Sequence, residues 1–191
     1  MKIEIPEGTK HINILMSGGV DSTILLYLLL KDGYENIVCH TMDKEGNVSK
    51  LVLSPIIDYL NKKFNRNIQL HIIKKKLWIR EAVKGILNFY PGVVITGCNK
   101  VVTDKFTPTN YIPEDTPPVR GPPLNEFHLR PLIDLDKIEI VRFYLEENIL
   151  DLLKLTKSCG YRPVYEPRCN GCYFCMERSW AANYLGIEDP E

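Results

Sequence analysis

The stretch His11-Ile12-Asn13-Ile14-Leu15-Met16-Ser17-Gly18-Gly19-Val20-Asp21-Ser22-Thr23-Ile24-Leu25-Leu26 decides the fold of this chain. Its first part is a short apolar run, Ile12, Ile14, Leu15 and Met16, of strand length. Its last part opens a segment, Asp21 to Lys31, that is apolar nearly all round through Ile24, Leu25, Leu26, Leu28, Leu29 and Leu30. A helix of that kind must be covered on most sides, as in a layered α/β protein. Between the two, adjacent glycines let the backbone turn tightly and approach a ligand without Cβ clashes. The helix start that follows offers unpaired N–H groups and the positive end of its dipole. Ser17 and Ser22 add hydroxyls. This strand–turn–helix is therefore an anion site. Asp21 is the odd member, because a carboxylate repels phosphate, and it makes sense with Mg²⁺ lying between them. No Gly-Lys-Ser/Thr follows, so the turn is not a Walker A loop.

Working outward, the elements alternate. Asp32-Gly33 ends the first helix, and Asn36 to Met42 reads as a second strand. Val48 to Asn65 has helical spacing with Pro55 inside it, where Ser54-Pro55 is either an N-cap and first turn or a kink in a longer helix. Asn67 to Lys74 alternates as a strand, Trp78 to Tyr90 is a helix stopped by Pro91-Gly92, and Val93 to Thr96 is a buried strand. Strands alternating with helices imply right-handed crossovers and a doubly wound parallel α/β sheet, with the ligand outside the carboxyl ends of the strands. Gly97, directly after the fourth strand, fits close approach of a nucleotide to the sheet edge. Seven of the thirteen prolines fall between Pro108 and Pro131, so 107–131 is expected to be a long substrate loop rather than an element. Asp136-Lys137-Ile138-Glu139 has capping-box spacing and opens a helix through about Asn148. Tyr173 to Leu185 is a last helix with Gly186 as its stop.

The 191 residues suit one domain with a small appendage, divided as 1–155 for the α/β part and 156–191 for the tail. Lys+Arg and Asp+Glu both number 24, so no global field argues for nucleic acid or membrane. Lys74-Lys75-Lys76 reads as a solvated strand end. Met1 to Pro6 lacks the apolar run of a secretion signal, and Ile24 to Leu30 is far too short to span a bilayer, so a cytoplasmic protein is expected.

Six cysteines are unevenly spread. Cys39 and Cys98 stand alone in strand-like stretches, where buried inert thiols are the default. Cys159, Cys169, Cys172 and Cys175 lie within 17 residues, which without an export signal reads as a metal site rather than a disulfide framework. Four thiolates close a tetrahedral Zn²⁺ shell of the structural type. A 4Fe–4S cluster also accepts Cys-x2-Cys-x2-Cys; zinc is favoured because a fourth cysteine is present and nothing else suggests redox chemistry.

Ser17 to Ser22 resembles the Ser-Gly-Gly-x-Asp-Ser motif of the PP-loop ATP pyrophosphatases. Within them the chain resembles the 7-cyano-7-deazaguanine synthases of the queuosine-precursor pathway. The matching stretches are Ile14 to Leu26, Gly97-x-Asn99, Pro131 to Ile140, Thr156-x-Ser158-Cys159, the Cys169-Cys172-Cys175 run with Arg178, and Gly186-x2-Asp189-Pro190. The resemblance implies an adenine-nucleotide alpha-hydrolase-like fold and an ATP-dependent ligase that adenylates a carboxylate and aminates it. The reaction would be 7-carboxy-7-deazaguanine, ammonia and ATP giving 7-cyano-7-deazaguanine, with AMP- or ADP-type products and pyrophosphate or phosphate release. It assigns ATP to Met16, Ser17, Gly18, Gly19, Val20, Asp21, Ser22, Thr41, Met42 and Gly97, and catalysis to Asp21, Ser22 and Lys137. Cofactors are then ATP, Mg²⁺ and a structural Zn²⁺ on the four cysteines. Partners are a small carboxylate and ammonia, with no membrane or nucleic acid, and a homodimer is allowed. His40 reads equally as a packed histidine, and Arg178 as serving the nucleotide or the packing of the tail. Lys100 to Pro108 departs from the family's Gly-Tyr-Pro-Asp-Cys-Arg segment, leaving Arg120, His128 and Arg130 available to another anion. Competing readings are a PP-loop tRNA thiolase, an amidating synthetase for a different acid, and a zinc-bound nucleotide-binding protein that has lost catalysis.

Overall fold

The computed structural model describes residues 1–43, 46–74, 77–102, 104–106 and 121–189. Strand β1 (Ile12–Leu15) leads into helix α1 (Val20–Lys31), followed by β2 (Ile37–Met42). A π-helical turn (Ser49–Leu53) runs directly into α2 (Ser54–Phe64). β3 (Gln69–Ile73), α3 (Ile79–Phe89), β4 (Val93–Thr96) and β5 (His128–Leu129) complete the sheet. Three helices close the chain: α4 (Lys137–Glu146), α5 (Leu150–Lys154) and α6 (Tyr173–Leu185).

Among the described residues, five strands lie in the order β3-β2-β1-β4-β5, and every pairing between them is parallel. Strand order therefore reverses between β1 and β4, where Leu15 pairs with Thr96. A crevice at the carboxyl ends of these two strands is the ligand position that such a sheet provides.

Period-two alternation splits the core. Ile12, Ile14, Val93 and Ile95 join α1, α2, α4 and α5 in the larger cluster. Leu15 and Val94 face Ala82, Val83 and Ile86 of α3 on the other side. α1 is sheathed almost completely: ten of its twelve residues are buried, as an all-round apolar helix requires.

At three local points the structure decides or revises the sequence reading; of the two alternatives at Ser54-Pro55, the longer helix with Pro55 inside it is the one found. Ser54 is no N-cap; its hydroxyl and its N–H both reach back to the Ser49 carbonyl, and Pro55, which lacks an N–H, stands where the π turn becomes α-helical. The 107–131 segment, expected to hold no element, contributes β5, whose two residues pair with Val94 and Ile95. A two-residue strand has no period to read. Residues 107–120, including Arg120, lie outside the described residues, as do Lys75 and Lys76. The helix after Asp136 ends at Glu146, and a separate short α5 follows the left-handed Asn148 (φ 53°). Its opening capping box is present: Glu139 N–H donates to Asp136 at 3.0 Å and Asp136 N–H to Glu139 at 2.9 Å.

Candidate active site

The turn after β1 is built as its composition demands. Gly18 is left-handed (φ 79°), and a Cβ there would stand 2.5 Å from Val52 Cγ1 of the π-helical turn. Only glycine fits both the dihedral and the space. Gly19 caps α1 in extended conformation, so the N–H groups of the first turn have no carbonyl within the helix to reach. The two serines tie the turn across its base: Ser17 N–H donates to Ser22 Oγ, their hydroxyls lie 3.3 Å apart, and Gly19 N–H donates to Ser17 Oγ. Gly97, at the end of β4, would place a Cβ 2.9 Å from Ser22 N and 3.0 Å from Asp21 Cβ. The glycine lets the strand end press against the start of α1, on the other side of the switch point.

A cavity of about 440 Å³ opens at this place. Met16, Ser17, Gly19, Val20, Asp21 and Ser22 line it from the β1–α1 turn, Thr41 and Met42 from β2, Gly97 from β4 and Lys137 from α4. These are ten of the residues the sequence singled out. Of the residues assigned to the nucleotide and to catalysis, Gly18 does not line it; its carbonyl instead accepts the Lys157 N–H at 2.9 Å. Val48, Ile79, Val164 and Phe174 supply an apolar side.

Behind the turn lies a buried charge cluster. Lys137, the first residue of α4, is 4% exposed and its ammonium pairs with Asp21 and, at 3.3 Å, with Glu177 of α6. Glu177 is 1% exposed and also accepts hydrogen bonds from Asn99 Nδ2 (3.0 Å) and the Tyr173 hydroxyl (3.3 Å). Burial opposes the charge on Lys137, but Asp21 and Glu177 outweigh it and push its pKa up. Burial, reinforced by Asp21, raises Glu177 against the pull of Lys137 and Asn99. One ammonium thus serves two carboxylates.

Thr96 lines the cavity with a fixed hydroxyl. Leu124 N–H donates to His128 Nδ1 at 3.2 Å, so the ring proton sits on Nε2, 2.9 Å from Thr96 Oγ1. Burial, with Arg130 and Arg80 nearby, pushes the His128 pKa down and keeps the ring neutral. His128 is therefore spent on Thr96, and Arg130 on the Gly121 carbonyl at 2.5 Å. Neither lines the cavity as an anion receptor. His40 is a packed histidine, 1% exposed, with Nε2 3.0 Å from Asn13 Oδ1. Arg178 is likewise committed to packing. It is 1% exposed and donates to the Thr156 and Leu153 carbonyls, to Ser158, and to Asp189, which also pairs with Arg168.

The four clustered cysteines converge. Their sulfurs all lie within 4.8 Å of one another and could hold a metal ion. Cys172 caps α6, where the helix dipole favours thiolate, and Cys175 lies in its first turn with its thiol pushed up by its hydrogen bond to Cys172 and by burial. A hydrogen bond from Cys175 is the main cause pulling Cys172 down to about 4. Backbone N–H groups of Cys172 and Arg162 point at Cys169 and Cys159 sulfurs, at 3.2 and 3.3 Å. The site is not remote from the cavity: Cys159 and its neighbours Lys157, Ser158 and Gly160 line it. Cys39 is fully buried and its thiol is pushed up by desolvation; Cys98, 8% exposed, lines the cavity next to Thr96.

Sequence reasoning passed over Glu177 and Lys157. Glu177 had a signal, a carboxylate two residues after Cys175 on a helix otherwise rich in apolar and neutral residues. Lys157 had none beyond adjacency to Ser158-Cys159.

No protein-family model matches the chain, and no curated protein matches it. Solved structures do. The chain is similar to the NH3-dependent NAD synthetase of Campylobacter jejuni subsp. jejuni NCTC 11168, solved with a nitrate ion: 16% identity, 76% of this chain, 69% of that one, TM-score 0.44. It is similar to the U34-tRNA thiolase NcsA of Methanococcus maripaludis, solved with its 4Fe–4S cluster: 12% identity, 81% and 60% coverage, TM-score 0.47. The FMN adenylyltransferase of Candida glabrata, solved with FAD and inorganic pyrophosphate, gives 18% identity, 72% and 49% coverage, and TM-score 0.45. The chain thus spans 60% of the thiolase and about half of the adenylyltransferase.

Proposed function

We propose that the chain is an ATP-dependent carbon–nitrogen ligase of the PP-loop type, converting 7-carboxy-7-deazaguanine and ammonia to 7-cyano-7-deazaguanine. The observation that carries this reading is the cavity at the β1/β4 switch point, walled by the Ser17–Ser22 turn on the N-terminus of α1. Its volume falls in the roughly 300–1,000 Å³ range of small-molecule sites. The deazapurine substrate is supported by the stretches whose sequence resembles the 7-cyano-7-deazaguanine synthases, Pro131 to Ile140 and Thr156 to Arg178 among them.

In this reading the substrate carboxylate attacks the α-phosphate of ATP, giving an acyl adenylate and releasing pyrophosphate. Ammonia displaces AMP to form the amide. Attack of the amide oxygen on a second ATP releases another pyrophosphate, and loss of AMP, carrying the amide oxygen, together with both N–H protons leaves the nitrile. Backbone donors of the turn and the Ser17 and Ser22 hydroxyls meet the charge that builds on the departing pyrophosphate. Asp21 and Glu177 offer the hard oxygen donors that suit Mg²⁺, and Asp21 is the residue that would hold it; the ion would neutralise phosphate charge.

Zinc is the metal proposed for the four cysteines. Zn–S bonds of about 2.3 Å put tetrahedral sulfurs about 3.8 Å apart. The Cys169 and Cys175 sulfurs lie 4.0 Å apart, close to that spacing, whereas an iron–sulfur cluster between the ligands would hold them wider. The metal would fasten the 156–191 tail to the α/β part and fix the cavity wall around Cys159.

The test is a screen of candidate acids for acid-dependent formation of AMP and pyrophosphate, with ammonia supplied. Turnover with 7-carboxy-7-deazaguanine supports the full assignment. Turnover with another acid alone removes only the substrate, and ATP binding without any acid-dependent turnover removes the ligase activity.

One observation favours a second reading, a sulfur-transferring PP-loop enzyme acting on tRNA: Cys98 and Cys159 both line the cavity. Iron in the purified protein, with salt-sensitive RNA binding, would select it.

A further inference from the structure

Two lysines line the cavity, and they are not equivalent. Lys137 is held by Asp21 and Glu177, so its charge is already matched twice over. Lys157 lies in the strap that leads from α5 to Cys159. Its backbone is fixed against the phosphate-binding turn at two points. Its N–H donates to the Gly18 carbonyl at 2.9 Å, and its carbonyl stands 3.5 Å from where a Cβ on Gly19 would be. No carboxylate among the described residues pairs with it.

The charge balance of the cavity then has a definite sense. Asp21, Glu177 and Lys137 together are net negative or, with a proton on Glu177, neutral. They cannot offer positive charge to a polyphosphate. Lys157, rooted on the turn itself, is the other lysine of the lining, and no ion pair among the described residues commits its charge. A compact, mobile point charge of this kind suits phosphate oxygens whose positions shift as a bond breaks.

We propose that Lys157 is the residue that meets the terminal phosphates of the nucleotide and follows the departing pyrophosphate, while Lys137 acts as a positioning residue that holds Asp21 and Glu177. This rests on the ATP reading above and names the cation of that same site.

The test uses the full-length, metal-loaded protein and two probes titrated calorimetrically, inorganic pyrophosphate and adenosine. Lys157→Met is expected to weaken pyrophosphate binding by about tenfold or more and leave adenosine binding within about twofold. Lys157→Arg, which keeps the charge, is expected to recover most of the loss. Melting temperatures of both variants should stay near wild type, since the side chain makes no ion pair among the described residues. Wild-type pyrophosphate affinity in Lys157→Met would overturn the proposal and leave the ATP reading standing. Equal loss of both probes, or no recovery in Lys157→Arg, would also overturn it, by making the residue merely structural. If the unmodified protein binds neither ATP nor pyrophosphate, the ATP reading falls and the Lys157 proposal falls with it.

Discussion

The Lys137 ammonium and the Glu177 carboxylate lie 3.3 Å apart, both almost wholly buried, although 40 positions separate them in sequence (177 − 137). This contact joins the start of α4 to the cysteine-bearing helix α6, and through Asp21 it reaches the phosphate-binding turn. Removing Lys137 would leave the buried Glu177 carboxylate without a cation, beside the partly exposed Asp21. Lys137→Met is expected to cost roughly 3–5 kcal/mol in chemical denaturation. Glu177→Gln should cost clearly less, because Asp21 still partners the ammonium. Equal stability of Lys137→Met and wild type would contradict this account of the cluster.

The turn glycines make separate predictions. Gly18→Ala must hold φ 79° and also displace Val52, so a loss of roughly 1–3 kcal/mol is expected. Val52→Ala removes the steric part only. The double variant should therefore be more stable than the sum of the single losses predicts, measured as a double-mutant cycle. Strict additivity would show that the Cβ does not meet Val52.

Gly97→Ala pushes on the backbone of Asp21 and Ser22 rather than on a flexible side chain. Its main effect is expected in nucleotide binding, with about tenfold weaker ATP affinity by calorimetry, because a shift of several tenths of an ångström there moves the donors of the turn. Unchanged affinity would argue that the close approach of β4 to α1 has no bearing on the site.

Metal analysis should find one zinc per chain and no iron. Chelation should lower the melting temperature and, because Cys159 and its neighbours line the cavity, weaken ATP binding as well. By linkage, ATP should tighten the metal by the same factor. Chelation that costs stability but leaves ATP affinity unchanged would reduce the metal to a fastener.

Acid stability should report His40. Burial pushes its pKa down to about 4 from the ordinary 6.5, with His71 adding to the shift. The unfolded state therefore binds the proton first, so stability is full above about pH 6.5 and falls as pH drops toward 4, by up to roughly 3 kcal/mol. His128, shifted the same way, adds to the fall. His40→Asn should flatten the profile over that interval; an unaltered slope would place the titration elsewhere.

Much of this was legible in the sequence because its signals are local. The turn, the all-round apolar α1 and the Asp136–Glu139 cap each announce themselves within a few residues, and the cysteine spacing is compact enough to predict convergence. What escaped notice depends on distance. Gly97 reads as a glycine left for a ligand, whereas the nearest atoms to its missing Cβ belong to Asp21 and Ser22. His128 looks free until β5 sets it beside Thr96. Glu177 is one more helical carboxylate until α6 packs on α4 and buries it against Lys137. Lys157 occupies the open position of Thr156-x-Ser158-Cys159, so the motif passes over it. Charge pairing across elements has no period, and only the fold reveals which lysine is matched and which is not.

The account stands on the Ser17–Ser22 turn gripping the terminal phosphates of a nucleotide. The most direct measurement is backbone amide NMR of the 22.0 kDa chain during titration with inorganic pyrophosphate. The account predicts saturable shifts concentrated at Ser17, Gly18, Gly19, Val20, Asp21 and Ser22, with ATP producing the same shifts plus others at Thr41 and Met42. Saturation without movement of the turn amides, or shifts scattered over the surface lysines, would contradict it.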